Sequence, residues 1–144
     1  MIYTDNTKKA INLMYKYHNG QFDKSGLPYV FHPFTVAFNM KDEETCIVAL
    51  LHDIVEDTAC TFEELETLFS DEIVNAIKLM THNPNEDYFS YIEKISTNRI
   101  ASLVKISDLK HNSDKSRLNN ITKKDINRIE KYRKAIEILS NKWS

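Results

Sequence analysis

Apolar residues recur three and four apart along most of this chain, the spacing that puts them on one face of an α-helix. Ile11, Met14 and His18 keep it, which predicts a helix from about Thr4 to His18. The segment NGQFDKSGLPYVFHP then holds both glycines and two of the three prolines, and reads as a loop. Pro33 suits the first turn of a second helix, HPFTVAFNMK. A third is expected over residues 43 to 56, opened by Asp42. TFEE, Thr61 to Glu64, is a capping-box pattern for a short helix through Phe69, and Asp71 is expected to cap EIVNAIKLM. Asn83-Pro84-Asn85 breaks the chain before EDYFSYIEKIST, and NRIASLVKISDLKH follows. After a polar interval, TKKDINRIEKYRKAIEIL carries the stripe Ile126, Ile129, Ile136 and Leu139. No convincing strand alternation, repeat or linker interrupts this pattern. The expectation is an all-α fold, a single-domain helical bundle over residues 1–144.

Composition narrows this only a little. Apolar residues at 42% and charged residues at 28% are ordinary for a globular domain. A net charge of −2 gives no electrostatic case for binding a nucleic-acid polymer. Cys46 and Cys60 make neither a CxxC pair nor a metal-ligand spacing, so reduced thiols are expected. The N-terminus lacks a signal-peptide core, and no apolar run reaches the roughly 18 residues of a membrane span. A soluble, cytoplasmic protein without membrane contact is expected; the pattern carries no oligomeric state.

The chemistry gathers in VALLHDIVEDTACTFEEL. On a helical wheel at ~100° per residue, Ile47, Val48, Leu50, Leu51, Ile54 and Val55 share one arc. His52, Asp53, Glu56 and Asp57 fill the other, beside Thr45, Cys46 and Ala49. One reading is the solvated side of an amphipathic helix. Against it, Asp53 and Asp57 form a like-charged i,i+4 pair, and the acids crowd a helix C-terminus whose dipole disfavours them. No lysine or arginine relieves them, so a bound divalent cation is the natural compensation. Imidazole with carboxylate suits manganese, iron or zinc better than calcium. Further ligands must come from elsewhere. Asp108 stands mid-helix among apolar residues, on one face with Lys105 and Asn112. His32 precedes Pro33 at a helix start, where it reads as an N-cap or a ligand.

The order His32, His52-Asp53, Asp108 resembles the HD superfamily of metal-dependent phosphohydrolases, which are all-helical. HNGQFDKSGLPYVFHPFTVA, VALLHDIVEDT and LVKISDLKHN are similar to three motifs of the RelA/SpoT-type alarmone hydrolases, a likeness running from about residue 15 to 112. It implies one Mn²⁺-like ion, with iron or zinc as alternatives, held by His32, His52, Asp53 and Asp108. It also implies Glu56 and Asp57 as the acids that orient or deprotonate the attacking water. Lys24, Ser25, Asn112 and Tyr132 would face the substrate, a small phosphorylated nucleotide losing its 3′-pyrophosphate. Lys24 and Ser25 also read as an ordinary polar loop, Tyr132 as packing, and His18 as a brace for the loop. The chain departs from the family where arginine is usual, having Asp23, Leu109 and Asp114, and His82 stands where lysine is frequent. Other phosphorylated nucleotides, or a catalytically silent metal- and nucleotide-binding module, are the alternative readings. The length leads us to expect a stand-alone hydrolase without a synthetase domain.

Overall fold

The most apolar segment of the chain becomes its centre. In the computed structural model, which describes residues 1–143, α3 (Glu43–Leu51) is buried from Thr45 to Leu51 on every side. A helix apolar around its circumference belongs inside a domain. Thr45, Cys46 and Ala49, which the wheel puts beside the acids, are buried with the rest of this helix. Around α3 pack α1 (Asp5–His18), α2 (Phe31–Phe38), α6 (Asp71–Met80) and α8 (Arg99–Asn112). Between them in sequence lie α4 (Ile54–Asp57), α5 (Phe62–Leu68) and α7 (Tyr88–Ser96), and α9 (Lys123–Lys142) closes the bundle against α7 and α8. Leu50 is 0% exposed. We expect Leu50→Ala to cost about 2–5 kcal/mol, read as a lower urea midpoint with an unchanged slope.

Side-chain caps set most boundaries. Thr4, Asp42, Thr61, Asp87, Asn98 and Thr122 each accept a backbone N–H of the first turn that follows. Ser70, not Asp71, caps α6. His32 is no N-cap: it lies inside α2, which starts after Val30. The stripe of α9 is shorter than its sequence implies, because Ala135 and Leu139 are buried while Ile126 is 53% exposed. Cys46 and Cys60 are buried free thiols. Among the described residues there is no strand, only one antiparallel bridge between Phe22 and Pro28. That bridge closes the loop before α2, where Gly26 at φ +83° takes a left-handed turn that a Cβ would strain. No helix among the described residues is long and apolar enough to cross a membrane.

Candidate metal centre

The helix expected over residues 43 to 56 is two helices. α3 stops at Leu51, His52 and Asp53 form a turn, and α4 starts at Ile54. His52 Nδ1 lies 2.7 Å from the Ala49 carbonyl and donates to it, which satisfies an end carbonyl of α3. Asp53, at φ −121° and ψ 14°, is the N-cap of α4 yet makes no side-chain cap bond. An N-cap aspartate ordinarily spends its carboxylate on a nearby N–H. This one turns inward. Successive residues of one helix would point ~100° apart, and the break removes that divergence.

Ligand atoms of His32, His52 and Asp53 all lie within 4.8 Å of one another. Asp108 Oδ1 joins them, 2.8 Å from His32 Nε2 and 3.3 Å from His52 Nε2. Asp53 Oδ2 lies 3.6 Å from His52 Nε2 and accepts from the Tyr29 hydroxyl. Asp53 Oδ1 is buried without a hydrogen-bond partner, and so is His18 Nε2, 3.5 Å away. Both imidazoles 32 and 52 have their Nδ1 engaged elsewhere, so both present Nε2 to the same point. Two imidazole nitrogens and two carboxylates, one of them with an orphaned oxygen, fit a divalent cation in donor type. The electrostatics agree. Burial opposes a charged His52, but Asp53 and Asp108 outweigh it and push its pKa up to about 9. Burial likewise opposes the Asp108 carboxylate, which Lys105 and His52 nevertheless hold well below the usual range.

Glu56 and Asp57 line the same chamber of about 250 Å³, with Tyr88, Tyr91, Lys105 and Asn112 around it. Glu56 Oε1 accepts the backbone N–H of His82 at 2.7 Å, which ties α4 to the end of α6. Burial raises the pKa of Asp57, with Asp53 and Glu56 adding to the effect. Tyr29 and Asn112 also line an adjoining cleft of about 310 Å³, where Lys24, Ser25 and Tyr132 lie. The ten residues singled out from the sequence thus fall in two connected hollows. A larger cavity, about 820 Å³ between α2, α8 and the end of α9, contains none of them.

Position 23 carries no cation, but the cleft does. Asp23 Oδ1 accepts the N–H groups of Ser25 and Leu27, and its Oδ2 meets Arg117 Nη2 at 3.1 Å. Asp23 therefore holds the loop and pairs with a guanidinium across the cleft. Arg117 has no signature in the sequence, because its place depends on a pairing 94 residues distant. Lys105, which the helical wheel puts on the face of Asp108 but to which it gives no role, and His111 and Tyr29 are the other site residues. Lys105 and His111 lie one turn either side of Asp108, so the same spacing could have found His111 too. His18 does brace the loop, with Nδ1 2.8 Å from Gln21 Oε1.

With this geometry in hand, comparison defines the class. The chain belongs to the HD domain family, whose profile matches residues 10–137. A guanosine-3′,5′-bis(diphosphate) 3′-pyrophosphohydrolase of Spiroplasma citri is 34% identical over 125 residues, which is 74% of this chain and 17% of that protein. A GTP pyrophosphokinase of Myxococcus xanthus is 42% identical over 81 residues, 54% of this chain and 11% of its own length. The chain thus spans less than a fifth of these curated relatives. A solved structure of a metazoan ortholog of SpoT, described as hydrolysing ppGpp, shares the fold with a TM-score of 0.78. It is 22% identical and aligns over all of this chain and 90% of its own.

Proposed function

We propose that this domain is a metal-dependent phosphohydrolase that removes the 3′-pyrophosphate of ppGpp or pppGpp, leaving GDP or GTP. The observation that carries the reading is the convergence of His32, His52, Asp53 and Asp108 in a chamber that Glu56 and Asp57 also line. The names of the curated relatives and of the structural neighbour support the substrate class. A divalent ion held by those four residues, manganese before iron or zinc, would supply a lowered water pKa and Lewis acidity at the phosphoryl oxygens.

The remaining roles belong to the chain's own side chains. Glu56, fixed by the His82 N–H, takes the proton of the attacking water, and Asp57 orients that water from the next position. Water oxygen bonds to the phosphorus attached to the 3′ oxygen; the P–O bond to the ribose breaks, and the 3′ oxygen leaves as a hydroxyl with a proton. Asn112 donates to Asp108 Oδ1 at 3.1 Å and stands where the chamber meets the cleft. Lys24 and Ser25 present a point charge and a hydroxyl to the phosphates, and Tyr132 walls the nucleoside. A soluble nucleotide of this kind places the work in the cytoplasm.

The test offers ppGpp, pppGpp and a panel of other phosphorylated nucleotides to protein loaded with Mn²⁺, and measures phosphate and pyrophosphate release. Pyrophosphate from ppGpp is expected. Turnover confined to other nucleotides would move the substrate. Binding of metal and nucleotide with no turnover at all would reduce the domain to a binding module.

A further inference from the structure

His32 Nδ1 faces His111 Nδ1 at 2.7 Å, a contact that no part of the proposed reaction uses. The ring centroids are 5.0 Å apart and the planes differ by only 13°. With nitrogens so close, those values put the rings edge to edge in nearly one plane, the arrangement of a direct N–H···N hydrogen bond. The backbone carbonyl of His111 accepts Arg117 Nη1 at 2.8 Å, which ties the end of α8 to the turn that follows. It lies one turn beyond Asp108 on α8, so a single helix presents both the carboxylate and the imidazole to His32.

A neutral imidazole carries one proton. When His32 gives the Nε2 lone pair to a cation, that proton must sit on Nδ1, where a hydrogen-bond acceptor is needed. We infer that His111 is a positioning residue: its Nδ1 accepts the Nδ1–H of His32 and so keeps the His32 Nε2 lone pair aimed at the ion site. A histidine suits the place because its Nδ1 either donates or accepts. It can therefore also serve the metal-free protein, in which His32 Nε2 donates to Asp108. The inference rests on the metal site of the proposed function. A ligating histidine with its second nitrogen anchored binds metal more tightly, and loss of such an anchor typically costs 10–100-fold in affinity.

The experiment is a Mn²⁺ titration of metal-free protein, following free Mn²⁺ by EPR, with thermal unfolding of each metal-free variant as a check on the fold. His111→Phe fills the space without an acceptor and is expected to weaken Mn²⁺ binding about 10–100-fold. His111→Asn, whose Oδ1 can accept the same proton, is expected to restore most of it. Unaltered affinity in His111→Phe, or equal weakening in His111→Asn, overturns the inference. Asp108→Asn separates the two ideas. If it loses Mn²⁺ while His111→Phe does not, the positioning role alone fails; if it binds like the parent, the metal site fails with it. A second measurement needs no variant: nitrogen-15 histidine spectra of Zn²⁺-loaded parent protein are expected to show His32 protonated at Nδ1. A proton at Nε2 there overturns the inference.

Discussion

Asp108→Ala is expected to abolish ion binding and turnover together, and to weaken the fold as well. Asp108 is 3% exposed and meets four groups at once: Lys105 Nζ at 2.9 Å, His32 Nε2 at 2.8 Å, His52 Nε2 at 3.3 Å and Asn112 Nδ2 at 3.1 Å. Removing the carboxylate leaves the Lys105 ammonium, 14% exposed, without its partner. Breaking a buried pair from one side costs about 3–5 kcal/mol, because the remaining charge stays desolvated. The burial that would lower the Lys105 pKa is now outweighed by Asp108, so the alanine variant removes the reason for that lysine to stay charged. Asp108→Asn is the milder variant for the fold, although it too removes the charge facing Lys105. It keeps the volume and an oxygen for hydrogen bonding while deleting one ligand charge. Urea unfolding and bound Mn²⁺ per chain, measured on both variants, separate the two losses. A full equivalent of Mn²⁺ bound to Asp108→Asn at parental affinity would remove Asp108 from the site.

Glu56→Gln has the opposite profile: an intact ion and a lost rate. The amide oxygen can still accept the His82 N–H that holds the side chain at 2.7 Å, so the geometry survives. What disappears is the capacity to take a proton. General-base contributions of this kind are worth about 10²–10⁴-fold in rate, and kcat should fall by that factor with Mn²⁺ affinity unchanged. Parental kcat in this variant would transfer the role to Asp57, the acid whose pKa burial and Asp53 raise.

Helix periodicity made the α-helical class legible, and the caps at Asp42 and Thr61 were readable because capping is a contact between near neighbours. Where the sequence pattern predicts one helix over residues 43 to 56, a local rule meets a tertiary one. The wheel treats the segment as a cylinder with a wet side. The folded chain buries α3 all round and breaks it at His52, where the imidazole takes the Ala49 carbonyl. The exposed Ile126 is the same lesson in reverse, since an apolar residue at the right spacing still needs a helix opposite it.

The amino-acid sequence by itself determined the inventory: two histidines and two aspartates in order, an acid pair beside His52-Asp53, and no lysine or arginine close in sequence to neutralise that cluster. Only the tertiary structure decided how these groups are served. It brought His111 onto His32 and Arg117 across to Asp23, contacts that span 79 and 94 residues of sequence. The reason is one of range. Residue type and helical spacing act over a few positions, so they reveal which groups are available. Desolvation and charge pairing act through space, and they depend on which distant segments the packed core carries together.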